Sequence, residues 1–161
     1  MPVGIGFDVH RLRPGRRLRL GGIDLPSRRE AVGHSDGDVV LHAVCDAVLG
    51  AAGAGDIGEH FPDTDPRWRG VDSSVFVRHA VGLARRRRLA VENVDLVILA
   101  EAPKLGSRKK AMAAAIARLL GVRPGVVNVK AKTMEGLGPV GAGRALAAWA
   151  LVSLKKKAVR R

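Results

Sequence analysis

The stretch Gly33-His34-Ser35-Asp36-Gly37-Asp38-Val39-Val40-Leu41-His42 places two histidines, two aspartates and a serine directly before an apolar helical pattern. Ser35 followed three residues later by Asp38 predicts a helix N-cap of the capping-box type, with a helix from about residue 36 to residue 52. A helix start presents unpaired backbone N–H groups and favours anions. His34 lies outside this helix and His42 inside it. The stretch therefore combines a helix start, an anion site and a potential metal ligand.

Length and composition favour one ordinary domain that spans residues 1–161. Hydrophobic residues make up 47% of the chain, which is enough to bury a core. No apolar run approaches the length that a membrane span needs, and Met1 leads almost directly into strand-like sequence, so neither a membrane anchor nor a signal peptide is expected. The single cysteine, Cys45, excludes an internal disulfide and agrees with a cytoplasmic location.

The net charge of +13 is high for a chain of this size. A solvated, arginine-rich surface is the favoured interpretation, and attraction for a polyanion such as nucleic acid or phosphate is the alternative. The basic clusters are not interleaved with aromatic residues, which argues against a platform for single-stranded nucleic acid. No nucleic-acid partner is therefore expected.

The remaining elements are predicted from hydrophobic period, glycine and proline. Three strands are expected at residues 2–8, 91–100 and 126–133, a basic hairpin within 11–33, and a long irregular stretch at 53–71. Further helices are expected at 72–89, at 107–121 and, after a glycine-rich loop at 136–143, at 144–155. This order predicts an α+β fold in which helices pack on one face of a mixed β-sheet.

A three-ligand metal set is the first chemical constellation. Asp8 and His10 lie two residues apart in an extended segment, so both side chains point to the same face. With His42 they offer two imidazoles and a carboxylate, which suits Zn²⁺ and leaves one position open. Cys45 is a conceivable fourth ligand, although a buried small hydrophobe is the favoured interpretation. Asp-x-His alone is also common at structural or surface positions.

Two further segments follow apolar strands. Lys130 to Glu135 ends in a hydroxyl and a carboxylate that suit a phosphate and a hard cation such as Mg²⁺ or Mn²⁺, with an ordinary edge-strand surface as the equal alternative. Ala100 to Gly106 is a proline-bent loop whose backbone groups can recognise a base, although a plain connection is more common.

Together these segments resemble the 2-C-methyl-D-erythritol 2,4-cyclodiphosphate synthase family. The resemblance extends in order over essentially the whole chain, which makes it more specific than any single motif. It is carried by Gly4 to His10, Gly33 to His42, Gly55 to Gly58, Phe61 to Pro66, Ala102 to Lys104, Asn128 to Ala131 and Thr133 to Glu135.

The resemblance implies a homotrimer with active sites between neighbouring subunits. It implies a zinc site at Asp8, His10 and His42, and a second divalent ion, Mg²⁺ or Mn²⁺, at Glu135. His34 and Thr133 would be catalytic, stabilising the transition state and positioning phosphate. The implied substrate-binding residues are Asp8, His10, His34, Ser35, Asp56, Ile57, Gly58, Phe61, Asp63, Asp65, Ala100, Pro103, Lys104, Leu105, Gly106, Ala131, Lys132, Thr133 and Glu135.

The implied reaction is cyclisation of 4-diphosphocytidyl-2-C-methyl-D-erythritol 2-phosphate with release of CMP, a step of the non-mevalonate isoprenoid pathway. The chain departs from the family pattern at Lys132, where threonine is common. It also carries Pro139 and Ala142, with Arg144 nearby, where the family often has an aromatic residue and an arginine lining a trimer channel. These departures weaken the case for an isoprenoid diphosphate in that channel and leave the cyclase residues intact. The alternatives are another zinc-dependent phosphohydrolase and a basic RNA-binding module.

Overall fold

The computed structural model describes residues 1–157, which form an α+β fold around one mixed sheet. The strands are β1 (Val3–Pro14), β2 (Arg17–Leu20), β3 (Ile23–Pro26), β4 (Arg29–Val32), β5 (Leu89–Leu99), β6 (Val127–Lys132) and β7 (Ala145–Lys156). The helices are α1 (Val39–Ala52), α2 (Ile57–His60), α3 (Ser74–Arg86), α4 (Lys109–Leu120) and α5 (Gly138–Gly141). The five-stranded sheet has the order β4-β1-β7-β5-β6, and β2 and β3 form a separate hairpin. Of the strand pairs within residues 1–157, β5–β6 is the only parallel one, so the predicted mixed sheet is confirmed.

Helix α1 begins at Val39, and its N-cap is Asp38 rather than the predicted Ser35. The Asp38 carboxylate accepts hydrogen bonds from the backbone N–H groups of Val40 and Leu41, both at 3.1 Å. The prediction of a Ser35 cap was wrong because Ser35 and Asp38 are both residue types that cap helices, and the sequence pattern does not show which of them directly precedes the first turn. The Ser35 side chain is consequently free to point toward His42.

The close approach of β1 to α1 depends on two glycines. Gly4 and Gly6 face the helix, and a Cβ at either position would overlap a backbone carbonyl oxygen of α1, that of Ala47 or Ala43 respectively. The strand β1 and the helix α1 therefore run in opposite directions. The next inward-facing positions of β1, Asp8 and His10, consequently meet the first turns of α1.

The segment predicted as a last helix at 144–155 is instead the strand β7. It pairs antiparallel with β1 on one side and with β5 on the other, so it lies in the interior of the sheet. Its alanine-rich first half favours a helix by intrinsic propensity. The alternation of exposed Trp149 and Leu151 with buried Ala150 and Val152 shows the two-residue period of a strand. Tertiary pairing on both edges decided the conformation.

The other elements follow their predictions more closely. The hairpin turns at Gly21 and Gly22, whose φ angles of 61° and 78° suit a tight two-residue β-turn. The stretch predicted as irregular at 53–71 contains the single-turn helix α2 and a 3-10 turn at Pro66–Trp68. Helix α4 ends at Leu120 and is capped by Gly121, which has a left-handed conformation with φ of 71°.

The two faces of the sheet differ. The helices cover one face, and α1 is buried on almost every side between β1, β7 and α3. The opposite face exposes apolar side chains of β1 and β7, namely Val3, Ile5, Phe7, Val9, Trp149 and Leu151. Within residues 1–157, no helix has both the length and the apolar character that crossing a membrane requires.

Candidate metal centre and adjoining cavities

Asp8, His10 and His42 bring three ligand atoms together at the junction of β1 and α1. The Asp8 Oδ2 atom lies 2.8 Å from His42 Nδ1 and 3.1 Å from His10 Nε2. The two histidine nitrogens are 3.1 Å apart. This is the one such cluster of three or more histidine, cysteine or acidic residues that the described part of the chain contains.

The three atoms form a small triangle that fits a divalent ion. Metal–ligand distances of about 2.0–2.2 Å in a tetrahedral site place neighbouring donor atoms roughly 3.3–3.6 Å apart, slightly wider than the observed edges. Burial raises the pKa of Asp8, but hydrogen bonds from His10 and His42 outweigh it, and the net pKa lies below its ordinary value. The carboxylate is therefore charged at neutral pH. Two imidazoles and one carboxylate occupy three positions and leave one open.

Behind the triangle, the second ring nitrogen of His42 contacts two hydroxyl groups. His42 Nε2 lies 2.8 Å from Ser73 Oγ and 2.9 Å from Ser35 Oγ. Ser73 comes directly before α3 and makes no side-chain cap bond there, since Asp72 accepts the N–H of Ser74 instead. The sequence identified Ser73 only as part of a helix start. Cys45, by contrast, is fully buried in the core, as favoured from the sequence.

A cavity of about 530 Å³ adjoins the metal-ligand cluster. Of the predicted substrate residues, it is lined by His10, His34, Ser35, Ile57, Gly58, Phe61 and Asp63. The sequence did not identify two aromatic members of the wall, Trp68 and Phe76. Phe61 packs against both, with ring-centroid distances of 5.0 and 4.5 Å. The only sequence signal for Phe76 was its place on the apolar face of a helix, which does not distinguish a cavity wall from ordinary core.

Two acidic residues of the same segment serve local structure. Asp56 caps α2 by accepting the N–H of Glu59 at 3.0 Å. Asp65 caps the 3-10 turn and pairs with the exposed Arg67 side chain, which holds the pKa of Asp65 below its ordinary value. Asp46 on α1 accepts the N–H of Ile57 at 2.7 Å, so the first helix also anchors this segment.

A second cavity of about 290 Å³ lies where the parallel strands β5 and β6 end. Its lining contains the predicted residues Ala100, Pro103, Lys104, Leu105, Gly106, Ala131, Lys132 and Thr133. Glu101 and Lys109 line it as well and were not predicted. The Glu101 carboxylate accepts the N–H of Met134 at 2.7 Å and thereby joins the two loops. The two cavities have no lining residue in common.

The end of β6 carries the remaining predicted residues. The Thr133 hydroxyl donates to Glu135 Oε1 at 2.6 Å, and Glu135 has a positive φ of 50°, an uncommon conformation for a residue with a side chain. Pro139 lies in α5, and its carbonyl oxygen accepts the N–H of Arg144, so the departures at the implied channel lie together in this turn, apart from Lys132 in β6.

The fold and the site define a class. This is an α+β protein with a two-histidine, one-aspartate centre that suits a divalent metal and lies beside a cavity with an aromatic wall. It also has a separate cavity at the ends of two parallel strands. Residues 1–155 match the model of the YgbB family. The chain belongs to this family.

Curated and solved relatives agree with this assignment. The chain is 51% identical to the 2-C-methyl-D-erythritol 2,4-cyclodiphosphate synthase of Desulfosudis oleivorans over 160 residues, which cover 99% of this chain and 95% of that protein. A CDP-bound structure of a 2C-methyl-D-erythritol-2,4-cyclodiphosphate synthase is 44% identical with a TM-score of 0.87, covering 95% of this chain and 99% of that one. The bifunctional IspDF of Campylobacter jejuni is 39% identical with a TM-score of 0.92, covering 96% of this chain and 42% of the longer one.

Proposed function

We propose that this chain is a cytoplasmic single-domain enzyme that converts 4-diphosphocytidyl-2-C-methyl-D-erythritol 2-phosphate to 2-C-methyl-D-erythritol 2,4-cyclodiphosphate and CMP in the non-mevalonate isoprenoid pathway. The observation that carries the proposal is the Asp8–His10–His42 cluster beside a cavity, in a chain 51% identical to a curated synthase of this name. The enzyme is a phosphorus–oxygen lyase that acts by intramolecular phosphoryl transfer.

In this proposal Asp8, His10 and His42 hold Zn²⁺, and Glu135 holds a second ion, Mg²⁺ or Mn²⁺. The ions supply positive charge that offsets the phosphate oxygens and orients them. His34 and Ser35 bind the phosphates at the mouth of the first cavity. The methylerythritol unit lies against Ile57, Gly58 and Phe61, with Asp56, Asp63 and Asp65 on the same segment offering acceptors to its hydroxyls.

The cytidine occupies the second cavity. Backbone groups of Ala100 to Gly106 face a flat base there, and Ala131, Lys132 and Thr133 form another part of the lining. A relative with the same fold has a structure with bound CDP, which supports a cytidine nucleotide as the occupant. Lys132 supplies a cation to the phosphates in place of a threonine hydroxyl, and Thr133 positions the phosphate undergoing transfer.

The reaction joins two phosphates of one substrate. An oxygen of the 2-phosphate attacks the β-phosphorus, the bond from that phosphorus to the bridging oxygen breaks, and CMP leaves with the bonding electron pair. The nucleophile is already an anion, so the enzyme needs no strong general base. The barrier lies in bringing two anions together and closing the ring, which a shaped cavity and positive groups lower by orientation and charge compensation.

The active protein is proposed to be a homotrimer with each site formed between subunits. The two cavities share no lining residue within one chain, whereas the substrate must reach both. The uncovered face of the sheet exposes an apolar patch, with Ile5 69% exposed and Leu151 47% exposed. Patches of this kind commonly mark subunit interfaces. Light scattering on Ile5→Arg should show loss of the trimer, and a trimer that persists unchanged would contradict an interface on this face.

Turnover tests the proposed reaction. Purified protein with substrate, Zn²⁺ and Mg²⁺ should yield the cyclic diphosphate and CMP by ³¹P NMR, without inorganic phosphate. His42→Ala should lose both zinc and turnover, whereas His79→Ala, a change at an exposed histidine of α3, should retain them. Inorganic phosphate as the product would instead support a phosphohydrolase. Salt-sensitive RNA binding without turnover would support a binding module.

A further inference from the structure

The Ser73 hydroxyl lies in a directional hydrogen-bond chain that ends at His42. Ser73 is fully buried, and its Oγ atom lies 2.5 Å from Asp36 Oδ1 and 2.8 Å from His42 Nε2. A carboxylate only accepts hydrogen bonds, so the single hydroxyl proton of Ser73 must point to Asp36. Toward His42 the Ser73 oxygen can then only accept. The Nε2 atom of His42 must therefore carry a proton.

This direction determines what the other ring nitrogen of His42 offers. A neutral imidazole has one N–H and one lone pair. With that N–H at Nε2, the lone pair of Nδ1 is available to a metal ion, whose binding would replace the hydrogen bond that Nδ1 makes to Asp8. This is the tautomer that a metal ligand requires, and such ligands commonly donate their second N–H to a partner that also fixes the ring.

Asp36 is held firmly enough to impose this direction. Its carboxylate also accepts the backbone N–H groups of Ser73 and Asp38, both at 3.1 Å. The Arg19 guanidinium lies 3.7 Å from Asp36 Oδ2 and compensates its charge. Arg19 in turn pairs with Asp24 and Asp72 across the neighbouring groove, so three segments of the chain hold Asp36 in place.

We propose that Ser73, oriented by Asp36, is a positioning residue that fixes the tautomer and ring orientation of His42 for metal binding. Ser35 also approaches His42 Nε2, at 2.9 Å, but within residues 1–157 its side chain has only two further hydrogen-bond partners, the Ser73 hydroxyl at 3.2 Å and the N–H of Gly37 at 3.4 Å. Among these described residues no carboxylate accepts its proton, so that proton remains available to another acceptor. The inference deepens the proposed function and rests on one part of it, the binding of a metal by Asp8, His10 and His42.

Metal affinity of the metal-free protein, residues 1–161, is the first test, with Co²⁺ as a spectroscopic probe and Zn²⁺ measured by chelator competition. Ser73→Ala should weaken both affinities by about 10–100-fold, the usual effect of removing such a partner. Ser74→Ala is the matched control, because this adjacent buried serine contacts Arg78 rather than the site, and it should leave both affinities unchanged. Ser35→Ala should weaken them much less than Ser73→Ala.

Unchanged affinity in Ser73→Ala, with tight binding by the parent, would overturn the role of Ser73 while leaving the proposed reaction standing. A larger loss in Ser35→Ala than in Ser73→Ala would overturn it as well. Absence of Co²⁺ binding by the parent would overturn both the inference and the proposed function.

A second measurement needs no variant and therefore survives misfolding of Ser73→Ala. In the zinc-loaded parent, ¹⁵N NMR of the histidine rings should show His42 protonated at Nε2, with that proton protected from exchange by the buried Ser73 oxygen. A His42 ring that instead carries its proton on Nδ1, or an Nε2 proton that exchanges as freely as those of exposed histidines, would overturn the inference.

Discussion

Replacing Asp38 with alanine should destabilise the fold far more than an ordinary helix-cap mutation. The Asp38 side chain is fully buried and accepts four backbone N–H groups, two from the first turn of α1 and two from the hairpin turn at Gly21 and Gly22, at 2.8 and 2.7 Å. Loss of the cap costs about 1 kcal/mol. Each buried N–H left unpaired costs a further 1–3 kcal/mol or so. Part of this loss is offset, because the variant no longer has to take the Asp38 carboxylate out of water. The expected net loss is about 3 kcal/mol.

Urea unfolding, followed by circular dichroism at equal protein concentration for all variants, measures this loss. With a slope of about 2 kcal/mol per molar urea, 3 kcal/mol lowers the midpoint by roughly 1.5 M. Asp72→Ala is the matched control, because Asp72 also accepts an N–H at a helix start but its side chain is 49% exposed. It should cost about 1 kcal/mol or less. Equal losses for the two variants would refute the claim that Asp38 joins the hairpin to the helix.

Three other outcomes follow from the structure. Gly6→Ala should lower the free energy of unfolding by about 1–3 kcal/mol or more, because the new Cβ would overlap the Ala43 carbonyl oxygen. The thermal midpoint should fall accordingly, and an unchanged midpoint would contradict the close β1–α1 packing. Burial raises the pKa of the Cys45 thiol, so a thiol reagent at pH 8 should react only after urea is added, and rapid labelling of the native protein would contradict that burial. Burial raises the pKa of Asp72, but the hydrogen bonds from Ser74 and the charge of Arg19 lower it by a larger amount. The net pKa is therefore below the ordinary 3.8. The parent should therefore have a higher free energy of unfolding than Asp72→Asn above about pH 5. This difference should disappear as the pH falls through the lowered folded-state pKa of Asp72, and a difference that grows on acidification would contradict this sign.

Prediction from the sequence succeeded where the determining interactions are local. The two-residue period of a strand put Asp8 and His10 on one face, and the structure shows both facing α1. The left-handed glycine at 121 ended α4 where the sequence placed the end. It failed for β7, because alanine and leucine favour a helix in isolation, whereas pairing with strands on both edges requires partners 48 or more residues away in the chain.

The sequence by itself determined which residue types are available to bind metal and phosphate, and its resemblance to a known family indicated their roles before any contact was known. Only the tertiary structure decided that Asp38 rather than Ser35 caps α1, that Trp68 and Phe76 form a cavity wall, and that Ser73 directs the His42 ring. The physical reason is that periodicity and turn chemistry act over a few residues. A hydrogen bond from a hydroxyl to a carboxylate 37 residues away exists only after the sheet and α1 have brought both groups together.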